Sequence, residues 1–298
     1  DSVIDRSVAV GPAAKSHDGK VGVGFIGFGN YARSVLLPAV QASGSANLRT
    51  VVTATGLSAV NGAEKFGFAQ AATDPEELFA DPDCHAIFIA TRHDTHADLA
   101  RRALAAGKHV FVEKPLALNH ADLGSVLEAQ AASGSILTVG FNRRFAPMVE
   151  RARQEVAKAG GPAIMHYRVN AGYIPPESWV HGPQGGGRIV GEACHFVDTL
   201  SAIVGADPVS VEASRPAGVG DSSQALLRFA DGSTGVVTYS SLGDSSIPKE
   251  ELEIMARGLH IRLTDYRKLA ITSGGKTETV SAGTQDKGQT ALVKSFLD

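Results

Sequence analysis

The sequence predicts an α/β chain in two parts, a doubly wound parallel sheet followed by an α+β domain on a mostly antiparallel sheet. Between Val21 and Phe141 short apolar runs alternate with segments of helical period, the rhythm of βαβ units and so of a parallel sheet covered on both faces. The turn Gly27-Phe28-Gly29-Asn30-Tyr31-Ala32 joins the first of those runs to the first helical segment. Beyond about residue 205 the chain becomes a succession of strand-like runs, with hairpin signals at Asp231-Gly232 and Ser273-Gly274-Gly275, as expected of an antiparallel sheet.

In order along the chain, residues 1–20 hold Gly11, Pro12, Ser16 and Gly19 and keep no period, so they read as a tail or linker. Residues 21–142 form the first domain. Its strands are Val21–Ile26, Leu48–Thr53, Ala86–Ala90, His109–Val112 and Ile136–Val139, and its helices are Ala32–Ala42, Ser58–Phe66, Pro75–Ala80, Thr95–Ala106 and Asn119–Ser133, assigned from apolar spacing. Residues 143–298 form the second domain, which opens with a helix Pro147–Ala159 and a strand Ala163–Val169. A loop with Pro175, Pro176 and Gly185-Gly186-Gly187 follows, then a helix from Ile189 to Val204 and strands to Val280. The start at Asp1 without Met, and the apolar spacing of Gln289–Asp298 with no capping signal, lead us to expect a piece of a longer protein.

Lys and Arg number 28 against 31 Asp and Glu, a net charge of −3, with no long run of either sign. A nucleic-acid-binding chain would show a basic stripe. Apolar residues make up 43% and charged ones 20%, enough to build a sizeable core, yet no apolar run approaches the length of a membrane span. Two cysteines, Cys84 and Cys194, make no secreted disulfide framework and suit a reducing, cytoplasmic setting.

The pattern G-x-G-x-x-A after a strand and before a helix is a dinucleotide-binding fingerprint in its proper context. Gly27 permits the tight turn, Gly29 lets a pyrophosphate approach the backbone, and Ala32 allows close helix packing. Asn30 and Tyr31 lie at the helix N-terminus, which favours negative charge. The first domain is therefore a Rossmann domain for NAD or NADP. The acid expected at the end of the second strand is missing, for the chain reads Val52-Thr53-Ala54-Thr55-Gly56. Its absence removes repulsion against a 2′-phosphate, which Thr53, Thr55, Arg33 or Arg92 would meet.

Glu113-Lys114-Pro115 closes the strand His109–Val112 and puts Lys114 at the carboxyl edge of the sheet, where ligands bind in this fold. Further on, Glu192, His195 and Asp198 are spaced by three on one helix, so they neighbour one another. A histidine held between carboxylates has a fixed tautomer and can accept a proton; the plainer alternative is a core histidine satisfied by Asp198. Arg143, Arg144 and Arg168 are candidates to bind a substrate phosphate or carboxylate bidentately, with surface or structural pairing the alternative. Trp179 is a candidate to stack on a sugar face or to fill a domain interface. His93, Asp94 and His96 follow a strand and lack a cysteine at ligand spacing, so no metal site is expected.

Taken together, the fingerprint, Thr91 with His96, Glu113-Lys114-Pro115, Gly140-Phe141-Asn142-Arg143-Arg144-Phe145 and the GGG to H-x-x-D stretch resemble the glucose–fructose oxidoreductase, inositol dehydrogenase and rhizopine-catabolism (Gfo/Idh/MocA) family from about Val21 to the end. The resemblance implies an active-site pair of Lys114 and His195 acting with bound NAD or NADP, which Thr91, Arg92, His93, His96 and Glu113 help to hold. It implies hydride transfer to or from a secondary alcohol of a sugar, polyol or nucleotide-sugar, with Arg143, Arg168, Trp179 and Glu192 toward the substrate. The second domain then carries an open-faced sheet that supplies homo-oligomer contacts. One departure is Gly191, where the family commonly places an Asp four residues before the histidine. The stretch Tyr173–His181 resembles a subgroup fused to a second, alcohol-dehydrogenase-like half. Two alternatives stay open: a silent dinucleotide-binding sensor or partner domain, and a cofactor-assisted sugar lyase or hydrolase.

Overall fold

The computed structural model describes residues 7–11 and 19–298, and the rest of the expected tail lies outside the described residues. Two compact units emerge: the described residues up to Gly140 together with Leu292–Asp298, and Phe141–Ala291.

The first unit is built on a seven-stranded sheet. Its strands are β1 (Ser7–Ala9), β2 (Val21–Ile26), β3 (Ala46–Val52), β4 (Gln70–Ala72), β5 (Ala86–Ile89), β6 (His109–Val112) and β7 (Leu137–Val139), in the order β1-β4-β3-β2-β5-β6-β7. All neighbours are parallel except β1, which runs antiparallel to β4. The order reverses direction at β2, the switch point beside which doubly wound sheets bind ligands. Ser7–Ala9 forms a short edge strand within the stretch read as a tail or linker. Its Ser7 hydroxyl also donates to Glu77 at 3.0 Å.

Apolar strand residues build the centre of this sheet. Phe25 stacks on Phe88 at 5.0 Å and Phe88 on Phe111 at 4.8 Å, and Phe296 meets the last two edge-on. Helices α1 (Leu37–Ser43), α2 (Gly56–Phe66), α3 (Glu76–Phe79), α4 (His96–Ala105) and α5 (His120–Ser133) connect the strands, with Thr55 and Asn119 capping the N-termini of α2 and α5 through their side-chain oxygens.

In the second unit α6 (Pro147–Ala159) and α7 (Cys194–Val204) pack on one face of an eight-stranded sheet. It comprises β8 (Ala163–Asn170), β9 (Pro208–Ser214), β10 (Ser223–Phe229), β11 (Thr234–Ser240), β12 (Glu250–Ala256), β13 (Leu259–Thr264), β14 (Lys268–Ser273) and β15 (Lys276–Ser281), in the order β15-β14-β13-β12-β8-β11-β10-β9. Only β8 and β11 are parallel. Strand alternation buries Met165, Tyr167, Val169, Leu252 and Ile254 against the helices and turns Ile164 and its register partner Met255 outward. The sheet is therefore open-faced.

The last helix, α8 (Gln289–Leu297), corrects the expected division at residue 143. From Leu292 onward the chain belongs with the first unit, because Leu292, Val293, Phe296 and Leu297 are buried and Phe296 seats on the phenylalanine row of that sheet. Every other helix and strand of the expected pattern is present within a residue or two, and β4 is an additional strand.

Candidate functional site

At the carboxyl end of β2 the chain turns through Gly27, whose N–H donates to the Val52 carbonyl at 2.9 Å. Its φ is +82°, and a Cβ there would lie 2.6 Å from the Ala90 carbonyl oxygen, so only glycine fits. A Cβ at Gly29 would meet no protein atom within 4 Å; the space over its backbone is open on the ligand side. Ala32, 1% exposed, begins a π-helical turn, Ala32–Leu36, that runs into α1, while Asn30 and Tyr31 stay exposed. This tight turn, bare backbone and helix start fit the pyrophosphate of a dinucleotide.

Beyond β3, the Thr53 hydroxyl donates to the Thr55 carbonyl at 2.8 Å, and Thr55 caps α2. Thr53 keeps lone pairs for a ligand, and no carboxylate occupies residues 53–56. Arg33 is held by its own turn, donating to the Phe28 carbonyl at 2.7 Å with its guanidinium over the Phe28 ring.

The loops after β5 and β6 are tied together by His96. Its Nδ1 lies 2.9 Å from the Pro115 carbonyl and its Nε2 3.3 Å from the Thr91 carbonyl, and the side chain is 1% exposed. Burial pulls its pKa down to about 4, against the help of the Pro115 carbonyl. The shorter contact makes Nδ1 the protonated nitrogen of a neutral ring. His96 is thus a buried brace between these two loops. Thr91 shares a 2.7 Å hydrogen bond with Thr95, and His93 and Arg92 begin the same turn. Glu113 packs against Gly140, where a Cβ would come within 2.6 Å of its carboxylate, and accepts from the Lys114 N–H at 3.3 Å. The half-buried Lys114 side chain follows β6, with a cis bond to Pro115. Gly27, Gly29, Thr53, Thr91, Glu113 and Lys114 thus lie just past the carboxyl ends of β2, β3, β5 and β6, along one edge of the sheet.

In the second unit His195 is 5% exposed in the first turn of α7 and meets the Phe141 ring edge-on at 5.9 Å. Asp198 takes a bidentate hydrogen bond from Arg144. Glu192, in a π-helical turn Ile189–Ala193, accepts from Tyr239 Oη at 2.5 Å and from Lys249 Nζ at 2.7 Å. Burial and the Glu192 charge push the Tyr239 hydroxyl well up, so it stays a donor. Tyr239, Lys249 and Arg188, which sits 3.9 Å from Glu192, carried no motif that singled them out.

Two of the expected substrate residues have partners within the protein. Arg143, 6% exposed, grips Glu250 through two 2.8 Å hydrogen bonds, and Lys287 and Tyr167 reach the same carboxylate at 2.7 Å. It is a core ion-pair member. Arg168 pairs with Glu251 at 2.8 Å and donates to the Pro248 carbonyl. Strand alternation puts Arg168 on the open face with Ile164, whereas Tyr167 beside it packs on Phe196 of α7 at 4.9 Å. Trp179 opens a single turn, Trp179–His181, half-buried, onto which Gly187 folds back through a 2.9 Å bond to the Val180 carbonyl. Among the described residues no group of three metal-ligating side chains assembles, and no helix is long and apolar enough to cross a membrane.

Comparison with known proteins agrees with this geometry. Residues 21–141 match the family described as "Oxidoreductase family, NAD-binding Rossmann fold", and residues 151–256 match the "GFO/IDH/MocA C-terminal domain". The chain is 31% identical over 224 residues to 1,5-anhydro-D-fructose reductase of Ensifer adhaerens, covering 73% of this chain and 66% of that enzyme. It is 31% identical over 188 residues to myo-inositol 2-dehydrogenase of Thermotoga maritima, covering 59% of this chain and 56% of that enzyme. The matches thus span less than two thirds of either relative. A levoglucosan dehydrogenase solved with NADH and levoglucosan superimposes with a TM-score of 0.79 at 23% identity, covering 93% of this chain and 88% of that one. With both domain profiles matched in sequence along a single polypeptide, the chain belongs to the Gfo/Idh/MocA oxidoreductase family.

Proposed function

We propose that the chain works as an NAD(P)-dependent oxidoreductase on a secondary alcohol of a sugar or polyol. The observation that carries this reading is the sheet edge that aligns the bare Gly27–Gly29 turn with Lys114. The family description supports a nicotinamide dinucleotide, and the named relatives act on sugars and an inositol. When bound, the dinucleotide supplies or accepts the hydride at the nicotinamide C4. The chain's own residues do the rest. Gly27 and Gly29 hold the pyrophosphate against the helix start. Lys114 Nζ binds and orients the reacting oxygen, and His195 takes the hydroxyl proton in the oxidation direction and returns it in reduction. Such acid–base assistance contributes about 10²–10⁴ in rate. With no acid at residues 53–56, discrimination between NAD and NADP is weak, within about tenfold, or roughly 1.4 kcal/mol.

Self-association belongs on the open sheet face, where Ile164 and its register partner Met255 are exposed apolar residues. Titration calorimetry with NADH and NADPH on the wild type and Gly29→Asp tests the cofactor assignment. The variant carboxylate should abolish binding of both forms; failure of the wild type to bind either would defeat the reading. A second reading, a silent dinucleotide-binding sensor, is favoured by Gly191 and by the engagement of Glu192 and Asp198 with other partners. Turnover by the wild type that is lost in Lys114→Ala decides against it.

A further inference from the structure

Three contacts join the segment Phe141–Arg144 to the start of α7. Phe141 lies edge-on to His195, with ring centroids 5.9 Å apart and planes at 75°. The Arg143 guanidinium sits 5.1 Å from the Phe196 ring centre while its nitrogens bind Glu250. Arg144 forks onto Asp198, with Nε 2.9 Å from Oδ2 and Nη2 on Oδ1. Residues 141, 143 and 144 thus meet 195, 196 and 198 in the same order. The helix is indexed at three positions near its start, and Asp198 stands one turn beyond His195 on the side chain's own face.

The chemistry of this last contact differs from an ordinary surface ion pair. The Asp198 side chain is 9% exposed, whereas Arg144 is 42% exposed. Burial raises the Asp198 pKa and Arg144 opposes that rise, so the guanidinium is what keeps a buried carboxylate charged and in place. A bidentate fork fixes direction as well as distance.

We propose that Arg144 and Asp198 are a positioning pair that holds Phe141 against His195 and so orients the imidazole. The proposal rests on the reading of His195 as the proton-handling residue. Arg144 acts through the turn Asn142–Phe145, which immediately follows Phe141, and Asp198 acts through one turn of α7. Neither touches the substrate in this account.

The test uses the full chain with histidine labelled at ¹³Cε1, and the His195 signal is assigned by its disappearance in His195→Gln. An edge-on phenyl ring gives that signal a ring-current shift. Asp198→Ala leaves Arg144 to solvent, so the melting temperature should be unchanged, while the His195 shift moves toward the unperturbed histidine position. Turnover of myo-inositol or 1,5-anhydro-D-fructose as probe should fall about 10–100-fold, by analogy with a misplaced catalytic group, with NADH affinity within twofold of wild type. Asp198→Asn keeps one acceptor for Arg144 and should restore much of both signals. An Asp198→Ala protein that keeps the His195 shift overturns the proposal, as does one that loses shift and melting temperature together without rescue by Asp198→Asn. If His195→Gln itself turns over normally, the reading of His195 fails, and the ring-current shift still reports separately whether the pair orients the ring.

Discussion

Arg143 and Glu250 form a doubly hydrogen-bonded ion pair inside the second unit, both contacts 2.8 Å, with the Glu250 side chain fully buried. Residue 143 follows the last strand of the dinucleotide-binding unit by a few positions, and its guanidinium is taken up in the core of the second unit. Burial alone would raise the Glu250 pKa; the Arg143 hydrogen bonds and charge, with Lys287, bring it down to about 2. Its ordinary value is 4.5, so the folded state binds its proton less readily than the unfolded chain does. The resulting stability is complete above about pH 4.5 and is lost as pH falls toward about 2. Glu250→Gln should flatten that part of the acid-unfolding curve. Arg143→Ala should cost about 3–5 kcal/mol at neutral pH, the usual penalty for leaving one buried ion unpaired, read from urea denaturation.

His96 should give a second, separate acid dependence. Burial lowers its pKa from 6.5 to about 4, so the unfolded chain takes up this proton first as pH falls. Its contribution is complete above about pH 6.5 and disappears between there and about pH 4. His96→Gln should remove the dependence in that window and loosen the loops after β5 and β6, seen as faster amide exchange at Thr91 and Lys114.

The two fingerprint glycines should separate cleanly. Gly27→Ala places a methyl 2.6 Å from a carbonyl oxygen at φ +82° and should destabilise the fold by about 1–3 kcal/mol. Gly29→Ala meets no protein atom within 4 Å and should leave the melting temperature unchanged. It intrudes instead where the pyrophosphate approaches, so NADH affinity should drop at least about tenfold. Equal binding by Gly29→Ala and wild type would mean the dinucleotide lies elsewhere.

Substitution of the expected substrate arginine on the open face separates a structural role from a substrate-binding one. Arg168→Ala removes an ion pair with Glu251 in which Arg168 is 26% and Glu251 41% exposed. It should change stability by about 1 kcal/mol or less and leave the KM for a sugar or polyol unchanged, measured by steady-state kinetics.

The parallel sheet was legible because buried strands such as Val21–Ile26 and His109–Val112 are unbroken apolar runs, and the fingerprint follows the first of them directly. Gln70–Ala72 and Ser7–Ala9 escaped notice since three residues carry no period and neither run is apolar throughout. The crossing back of α8 was hidden for another reason. An amphipathic helix announces that it will be buried, but not on which sheet, and the partners of Phe296 stand some two hundred residues earlier in the chain. At the site, the backbone glycines, Glu113 and Lys114 were readable from local spacing. The pairing of Arg143 with Glu250 and of Glu192 with Tyr239 and Lys249 depends on strand register in the second sheet, which local spacing does not encode.

Transfer of deuterium from NADH labelled at the transferable C4 position to 1,5-anhydro-D-fructose and to the keto form of myo-inositol tests the central claim most directly. Mass spectrometry of the alcohol should find one deuterium at the carbinol carbon with the wild type, and at least about 100-fold slower incorporation with Lys114→Ala, within the range expected for loss of an acid–base group. Wild-type protein that binds NADH yet delivers no deuterium to either ketone, or Lys114→Ala that delivers it at the wild-type rate, would contradict the account.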